Sequence, residues 1–246
     1  MLKRGFVTAI VVALTVVPLS AELKYTMRMQ LKPASAPAGA GNEALAAIGA
    51  QVIEMMVPGG SADMTVLTGD RGTRVEANKA RVGMPLGSVM LQRPDGSIVV
   101  LVPAARTYWK VGAADMGAIK ATTKRTGEYS TISGERVERV TFRFEVPIGA
   151  DATSAGVPPI AIEGDAWIAE KYRRYTAVTA KTAPGLGLAE LAQMGLSIRQ
   201  VMRSPIFGDK EIESVVTRIA EEAAPAGLFQ VPADYKEVPA PGRSGG

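Results

Sequence analysis

The chain of 246 residues contains neither histidine nor cysteine. The side chains that most often move protons, attack carbonyls or bind transition metals are therefore missing. Serine–histidine and cysteine–histidine nucleophiles are excluded by composition alone. The serine–lysine alternative lacks its local signature, because no Ser-x-x-Lys occurs. Gly59-Gly60-Ser61-Ala62-Asp63 follows a nucleophile elbow only until its last residue. No phosphate loop ends in Gly-Lys-Ser or Gly-Lys-Thr, and Gly185-Leu186-Gly187 lacks the third glycine and preceding strand of a dinucleotide site. Paired carboxylates are the remaining route to chemistry: Asp63 with Asp70, or Glu163 with Asp165. Glu163 and Asp165 lie two apart on one strand face, the pattern of a solvated surface. The chain therefore reads as a non-enzymatic protein, with no catalytic residue, metal ligand or cofactor assigned.

The apolar side chains offer a different chemistry. Eleven methionines accompany only five phenylalanines and two tryptophans. Methionine is unbranched and polarizable, so it lines deformable apolar surfaces as readily as it fills a core. Met27, Met29, Phe142, Phe144 and Met202 fall on apolar strand faces and are the candidate ligand-binding residues. Trp109 and Trp167 divide between core packing and a ligand wall in the same way.

The N-terminus predicts where such a site would work. Lys3 and Arg4 precede an apolar run from Gly5 to Val17; Pro18 and Leu19-Ser20-Ala21 follow. That order is a secretory signal peptide, residues 1–21, cleaved before Glu22. The run is short for a membrane span, and no later segment has the ~20 apolar residues of one. The protein is expected in the periplasm, or secreted. Without cysteine it carries no lipid anchor and no disulfide. The formal charge of +4 falls by two when Lys3 and Arg4 leave, and the remaining basic residues are scattered. Nucleic-acid binding is not implied.

These residues need strands to hold them. Leu23, Tyr25, Met27, Met29 and Leu31 alternate with Lys24, Thr26, Arg28 and Gln30, the period of a half-buried strand. A loop from Pro33 precedes a helix over 43–56, where Leu45, Ile48, Val52, Met55 and Met56 share one face. Asn42 is its expected N-cap and Pro58-Gly59-Gly60 its stop. Short strands punctuated by Gly69-Asp70-Arg71-Gly72 and Pro94-Asp95-Gly96 follow to Val111. In Glu135–Val146, Val140, Phe142, Phe144 and Val146 face one way and Thr141, Arg143 and Glu145 the other. Ile160–Ala169 and Arg173–Lys181 are expected to form a hairpin, and Leu186–Met194 a short helix. Leu196–Met202 and Glu211–Ala220 are expected strands, although Ile212, Val215, Val216 and Ile219 also fit a helix. Residues 22–238 make one domain, with an insertion at 33–60, and the tail 239–246 is expected to be disordered.

Several segments resemble one exported family. They are Arg71–Val75, Arg93-Pro94-Asp95-Gly96-Ser97-Ile98-Val99-Val100-Leu101, Arg106-Thr107-Tyr108-Trp109 and Thr126-Gly127-Glu128. Ile132-Ser133-Gly134-Glu135-Arg136, Gly164-Asp165-Ala166-Trp167-Ile168-Ala169 and Leu228–Val238 complete the set. The last is similar to a closing Leu-Phe-x-Val-Pro-x-Gly-Tyr-Lys motif, with Asp234 in place of glycine. The pattern resembles the DUF4412 group within the LolA/LolB-like superfamily of lipoprotein localisation factors. The resemblance implies a mainly β (α+β) fold: a curved antiparallel sheet forming a half-barrel, its concave side covered by one or two short helices. In characterised members of that superfamily the concavity holds lipoprotein acyl chains, and the leading expectation for this chain is non-enzymatic binding of a hydrophobic ligand: a lipid, a lipoprotein acyl chain or an apolar peptide. A structural or sensor module that binds another envelope protein is the alternative.

Overall fold

The structure, a computed structural model, describes residues 21–35, 43–79, 85–111, 120–146, 159–182 and 189–241. In chain order they form β1 (Ala21–Pro33), α1 (Glu43–Met56), β2 (Ser61–Gly69), β3 (Gly72–Ala77), β4 (Val89–Gln92), β5 (Ile98–Val102) and β6 (Thr107–Val111). Then come β7 (Lys120–Ile132), β8 (Glu135–Val146), β9 (Ile160–Ala169), α2 (Arg173–Thr182), α3 (Ala189–Met194), β10 (Leu196–Arg203), β11 (Lys210–Ala223) and β12 (Lys236–Glu237). The expected signal peptide, the Asn42 cap and residues 242–246 of the tail lie outside the described residues, apart from Ala21, which pairs with Ala223 at the start of β1.

All twelve strands join one sheet in the order β12-β6-β5-β4-β3-β2-β1-β11-β10-β9-β8-β7. The chain starts in the middle with β1, walks out to β6, restarts at the far edge with β7 and walks back until β11 pairs with β1. Every contact is antiparallel except β12 on β6. This order forces curvature. Ten inter-strand steps separate β6 from β7, about 48 Å on a flat sheet at ~4.8 Å per strand. Nine peptide steps join Val111 to Lys120 and reach at most ~32 Å. The two ends must curl toward each other, and the sheet is an open half-barrel.

Local sequence explains the register. Ser133 and Gly134 both adopt positive φ, at 52° and 79°, which makes the tight β7–β8 hairpin turn matched to strand twist. A bulge between Thr26 and Met27 interrupts the β1–β11 ladder. The apolar face of β1 stays continuous: Met27, Met29 and Leu31 join one cluster and Leu23 and Tyr25 a second.

The main cluster gathers Met64 from β2, Met29 from β1, Ile212 from β11, Met202 from β10, Ala166 from β9, and Phe142 and Phe144 from β8. Side chains from strands so far apart converge only on the inner face of a curved sheet. Val52, Ile53 and Met56 of α1, Ile206 and Phe207 of the β10–β11 turn, and Leu191 and Met194 of α3 fill that concavity. A Cβ on Gly49 would lie 1.6 Å from the Ile206 carbonyl oxygen, so the glycine lets α1 seat directly on the turn.

One expected strand is a helix. Arg173–Lys181 folds as α2, because Tyr172, Tyr175 and Thr176 are buried together while Arg173 and Arg174 are exposed. Spacing of three and four residues puts such side chains on one helical face, whereas a strand would split Tyr172 from Tyr175. The strand reading of Glu211–Ala220 holds, within the longer β11. Asp234, where the resembled closing motif has glycine, does not adopt positive φ. Its turn needs no left-handed residue.

Candidate functional site

A cavity of about 170 Å³ remains on the concave side, between β1, β2 and β10 below and α2 and α3 above. Tyr25 and Met27 form its floor, Leu191 and Ala192 its roof, and Thr68, Thr176, Ser197 and Gln200 its polar contribution. Most of its wall is apolar. Its size is close to the ~150 Å³ of an engineered apolar cavity that stays dry and takes up benzene.

Hydrogen bonds tether the covering helices. Thr176 Oγ1 donates to the Ala192 carbonyl at 2.6 Å, tying α2 to α3. Thr68 Oγ1 donates to the Tyr175 carbonyl at 3.2 Å, tying α2 to β2. Outer contacts join Arg174 to Glu221 at 3.1 Å and Thr123 Oγ1 to Glu190 at 3.2 Å. Burial pushes the Tyr25 phenol up to about 12, so it stays protonated at neutral pH.

Of the residues proposed from sequence, Met27 lines this cavity. Met29, Phe142, Phe144 and Met202 lie on the same concave face but are packed into the main cluster, each at most 7 % exposed. The Phe142 and Phe144 rings stack with centroids 4.8 Å apart. Sequence reasoning missed Tyr25, Thr68, Leu191 and Gln200 as a group. One local signal was present: Gln200 interrupts the apolar face set by Leu196, Ile198 and Met202.

The outer face is built differently. Arg28 meets Asp63 across β1 and β2 at 2.8 Å. Glu213 on β11 accepts from Lys32 on β1 and from Arg199 on β10. Arg203 bridges Glu211 and Asp165, and Asp165 also meets Arg139 at 2.8 Å. The carboxylates considered for catalysis are thus spent. Asp165 is ion-paired, Glu163 faces Arg143, and Asp63 and Asp70 lie at opposite ends of β2. Hydrogen bonding from Arg28 holds Asp63 below the usual carboxylate range. Burial alone would raise Glu213, but hydrogen bonds from Lys32 and Arg199 outweigh it and keep it low. An open groove of about 450 Å³ on this face is lined by these paired side chains and by Lys124 and Thr141. Phe142 and Gly164 also line it. Among the described residues no group of three or more acidic side chains could hold a metal ion. Nor, among them, is any helix long and apolar enough to cross a membrane.

Trp109 is buried in β6, whereas Trp167 lies under the Arg199 guanidinium, 4.6 Å from the ring centroid. Neither lines the cavity.

No family model matches the chain, and no curated protein matches it. Among solved structures it is similar to a LolA superfamily protein from Nitrosomonas europaea at 9 % identity, covering 87 % of this chain and 91 % of that one, with a TM-score of 0.36. It is also similar to the Mycobacterium tuberculosis lipoprotein LppX at 12 % identity, covering 82 % and 87 %, with a TM-score of 0.31. A third similarity, to PNGF-II, has 12 % identity, covers 90 % of this chain but 31 % of that one, and has a TM-score of 0.42.

Proposed function

We propose that this protein is a non-enzymatic carrier or receptor for a hydrophobic ligand, held in the concavity beneath α2 and α3. The observation that carries this reading is the apolar cavity on the concave face, set between two small helices and a strand floor. About six methylenes filling it would contribute roughly 5 kcal/mol at ~0.8 kcal/mol each, before ordering costs. An acyl chain is the simplest occupant of such a site. The closing Leu228–Val238 segment, similar to that of the LolA-like group, fits the same reading. The chain is exported through residues 1–21 and works in the periplasm, where it meets lipids and lipoproteins.

Titration of the native protein with the neutral fluorophore N-phenylnaphthylamine tests the reading. Saturable binding displaced by acyl esters is expected. Absence of saturable binding would overturn it and favour the envelope-protein module. Met27→Lys should then abolish binding while the protein still folds, because Met27 is a cavity wall. Met29→Lys should instead prevent folding, because Met29 is close-packed. Export is tested separately by intact mass: the periplasmic species should begin at Glu22, and a membrane-bound species retaining residues 1–21 would contradict it.

A further inference from the structure

The outer face at the centre of the sheet carries an arginine that its surroundings do not neutralise. Arg28, Arg139, Arg143, Arg199 and Arg203 on that face each meet a carboxylate. Arg218 on β11 meets none among the described residues. A bulge sets its position. Val216 stands opposite Met27 and Arg218 opposite Thr26, so Thr217 is the extra residue, and its hydroxyl donates to the Thr26 carbonyl at 3.3 Å. Unbroken pairing would put Thr217 opposite Thr26; the bulge puts Arg218 there, on the face that carries Lys24. Re-aiming a side chain is what bulges do beside binding sites.

Arg218 borders a walled notch of about 270 Å³, together with Lys24 and Thr26 of β1, Thr65 of β2, and Ala220 and Glu222 of β11. Thr65, Thr26 and Arg218 stand in one cross-strand row, and Lys24 and Ala220 in the next. The small Ala220 side chain leaves the gap between Arg218 and Glu222. Glu222 takes Lys24 at 3.1 Å, and the adjoining Arg28 is cancelled by Asp63. With two cations and one carboxylate in its wall, the notch keeps one uncompensated positive charge. A guanidinium beside an ammonium and two hydroxyls is a donor set that matches a tetrahedral oxyanion.

We infer that this notch is a binding site for a phosphoryl group. Arg218 is its anchor, Lys24 is shared between the phosphoryl group and Glu222, and the Thr26 and Thr65 hydroxyls are further donors. The notch lies across the sheet from the cavity under α2 and α3, and the inference goes beyond the hydrophobic-ligand reading without resting on it. Inorganic phosphate and the phosphate of an anionic lipid headgroup present the same chemistry to it.

The test titrates the native protein with inorganic phosphate at neutral pH and low salt, followed by amide NMR, with sodium chloride at equal ionic strength as the control. Saturable shifts at Thr26 and Arg218 are expected with phosphate alone. Arg218→Gln should weaken binding by about tenfold or more, the loss of a charged hydrogen bond. Glu222→Gln removes the one carboxylate of the notch and should tighten binding. Arg143→Gln, elsewhere on the same face, should leave it unchanged. Unaltered melting temperatures would show that the variants fold. Sedimentation with phosphatidylglycerol vesicles, against phosphatidylcholine vesicles, separates the two sources. Vesicle binding that Arg218→Gln abolishes assigns the headgroup, whereas phosphate binding without vesicle binding assigns the free anion. Equal shifts with chloride, binding indifferent to Arg218→Gln, or no binding of either probe would overturn the site and leave the hydrophobic-ligand reading untouched.

Discussion

In β8, Phe142 and Phe144 point inward at 4 % exposure each while Arg143 between them is exposed. In β5, by contrast, Ile98, Val99, Val100 and Leu101 are all buried, in both directions. The two strands belong to opposite halves of one sheet. Beside β8 the outer face is open to water and is held by cross-strand ion pairs such as Arg139–Asp165 and Arg203–Glu211. Beside β5 the outer face is covered by the chain's own closing segment. There Val231 and Tyr235 pack on Val89, Leu91, Val99 and Leu101, and Phe229 packs on Leu67. The same segment then adds β12 to the sheet edge, with Lys236 N–H donating to the Arg106 carbonyl at 3.0 Å and Val238 N–H to that of Tyr108 at 2.8 Å. A strand with one wet face must alternate; a strand dry on both faces reads as an apolar run. The difference lies in what covers each half, not in the strands themselves.

Deleting residues 225–241 should produce the largest effect. It would uncover Leu67, Leu91, Val99 and Leu101 together and unpair the edge strand β6. We expect a chain that aggregates or fails to fold at room temperature, seen by size-exclusion chromatography. A soluble, cooperatively folding truncation would show that the half around β5 does not need its cover.

Next come single core truncations, one per half. Phe142→Ala should cost about 3–5 kcal/mol and Leu91→Ala about 2–5 kcal/mol in urea unfolding. A loss below about 1 kcal/mol at Leu91, with the full loss at Phe142, would mean that the closing segment covers β4 only loosely.

Arg71 tests its ion pair with Glu22; the Arg71 guanidinium also stacks on Phe229 of the closing segment. Its Nε donates to Glu22, which is fully buried, at 2.8 Å, and its NH2 group donates to the Ala224 carbonyl at 2.6 Å. A Cβ on Gly69 would lie 1.5 Å from Glu22 Oε2, so the carboxylate sits in a notch that only glycine leaves. Arg71→Met should cost about 3 kcal/mol because it strands a buried carboxylate. The double variant with Glu22→Gln should recover part of that loss. No recovery would show that packing on Phe229, rather than charge, carries the Arg71 contribution.

Acid should act first on the wet half, because the carboxylates held low in the covered half, Asp95 and Glu237, are exposed and their contacts are screened by water. Asp63, Glu211 and Glu213 titrate below their unfolded values, so the folded state binds fewer protons than the unfolded one as pH falls. Their contribution is present above about pH 4.5, the ordinary glutamate value, and is lost progressively below it. Hydrogen exchange should show β1, β10 and β11 loosening before β4 and β5. Uniform loosening across the sheet would contradict the ion-pair account. The smallest change is expected at Arg143→Ala. This exposed residue meets Glu145 and Glu163 at 3.6 Å, and the loss should stay within about 0.5 kcal/mol.

Much of the fold was readable because its signals are local. The period-two faces of β1 and β8, the helical face of α1 and the turn at Pro94-Asp95-Gly96 each depend on neighbouring residues alone. The same signals placed Met27, Met29, Phe142, Phe144 and Met202 on one face. They did not separate cavity from core, because that depends on what α1, Ile206 and Phe207 fill. The helix α2 is likewise set by what packs on it. Its sequence suits either state, and contacts of Tyr172 and Tyr175 with β1 and β10 select the helix.

Composition alone excluded histidine and cysteine chemistry, and periodicity alone called for a β-rich chain with an apolar face. Tertiary structure decided that β11 pairs with β1, that a short link from β6 to β7 curls the sheet, and that Leu228–Val238 shields one half. It also decided that Gln200, isolated in sequence, meets Tyr25, Met27 and Leu191 around one cavity. A strand's own residues determine which side is apolar, but the partner that covers that side, or leaves a gap beside it, comes from elsewhere in the chain.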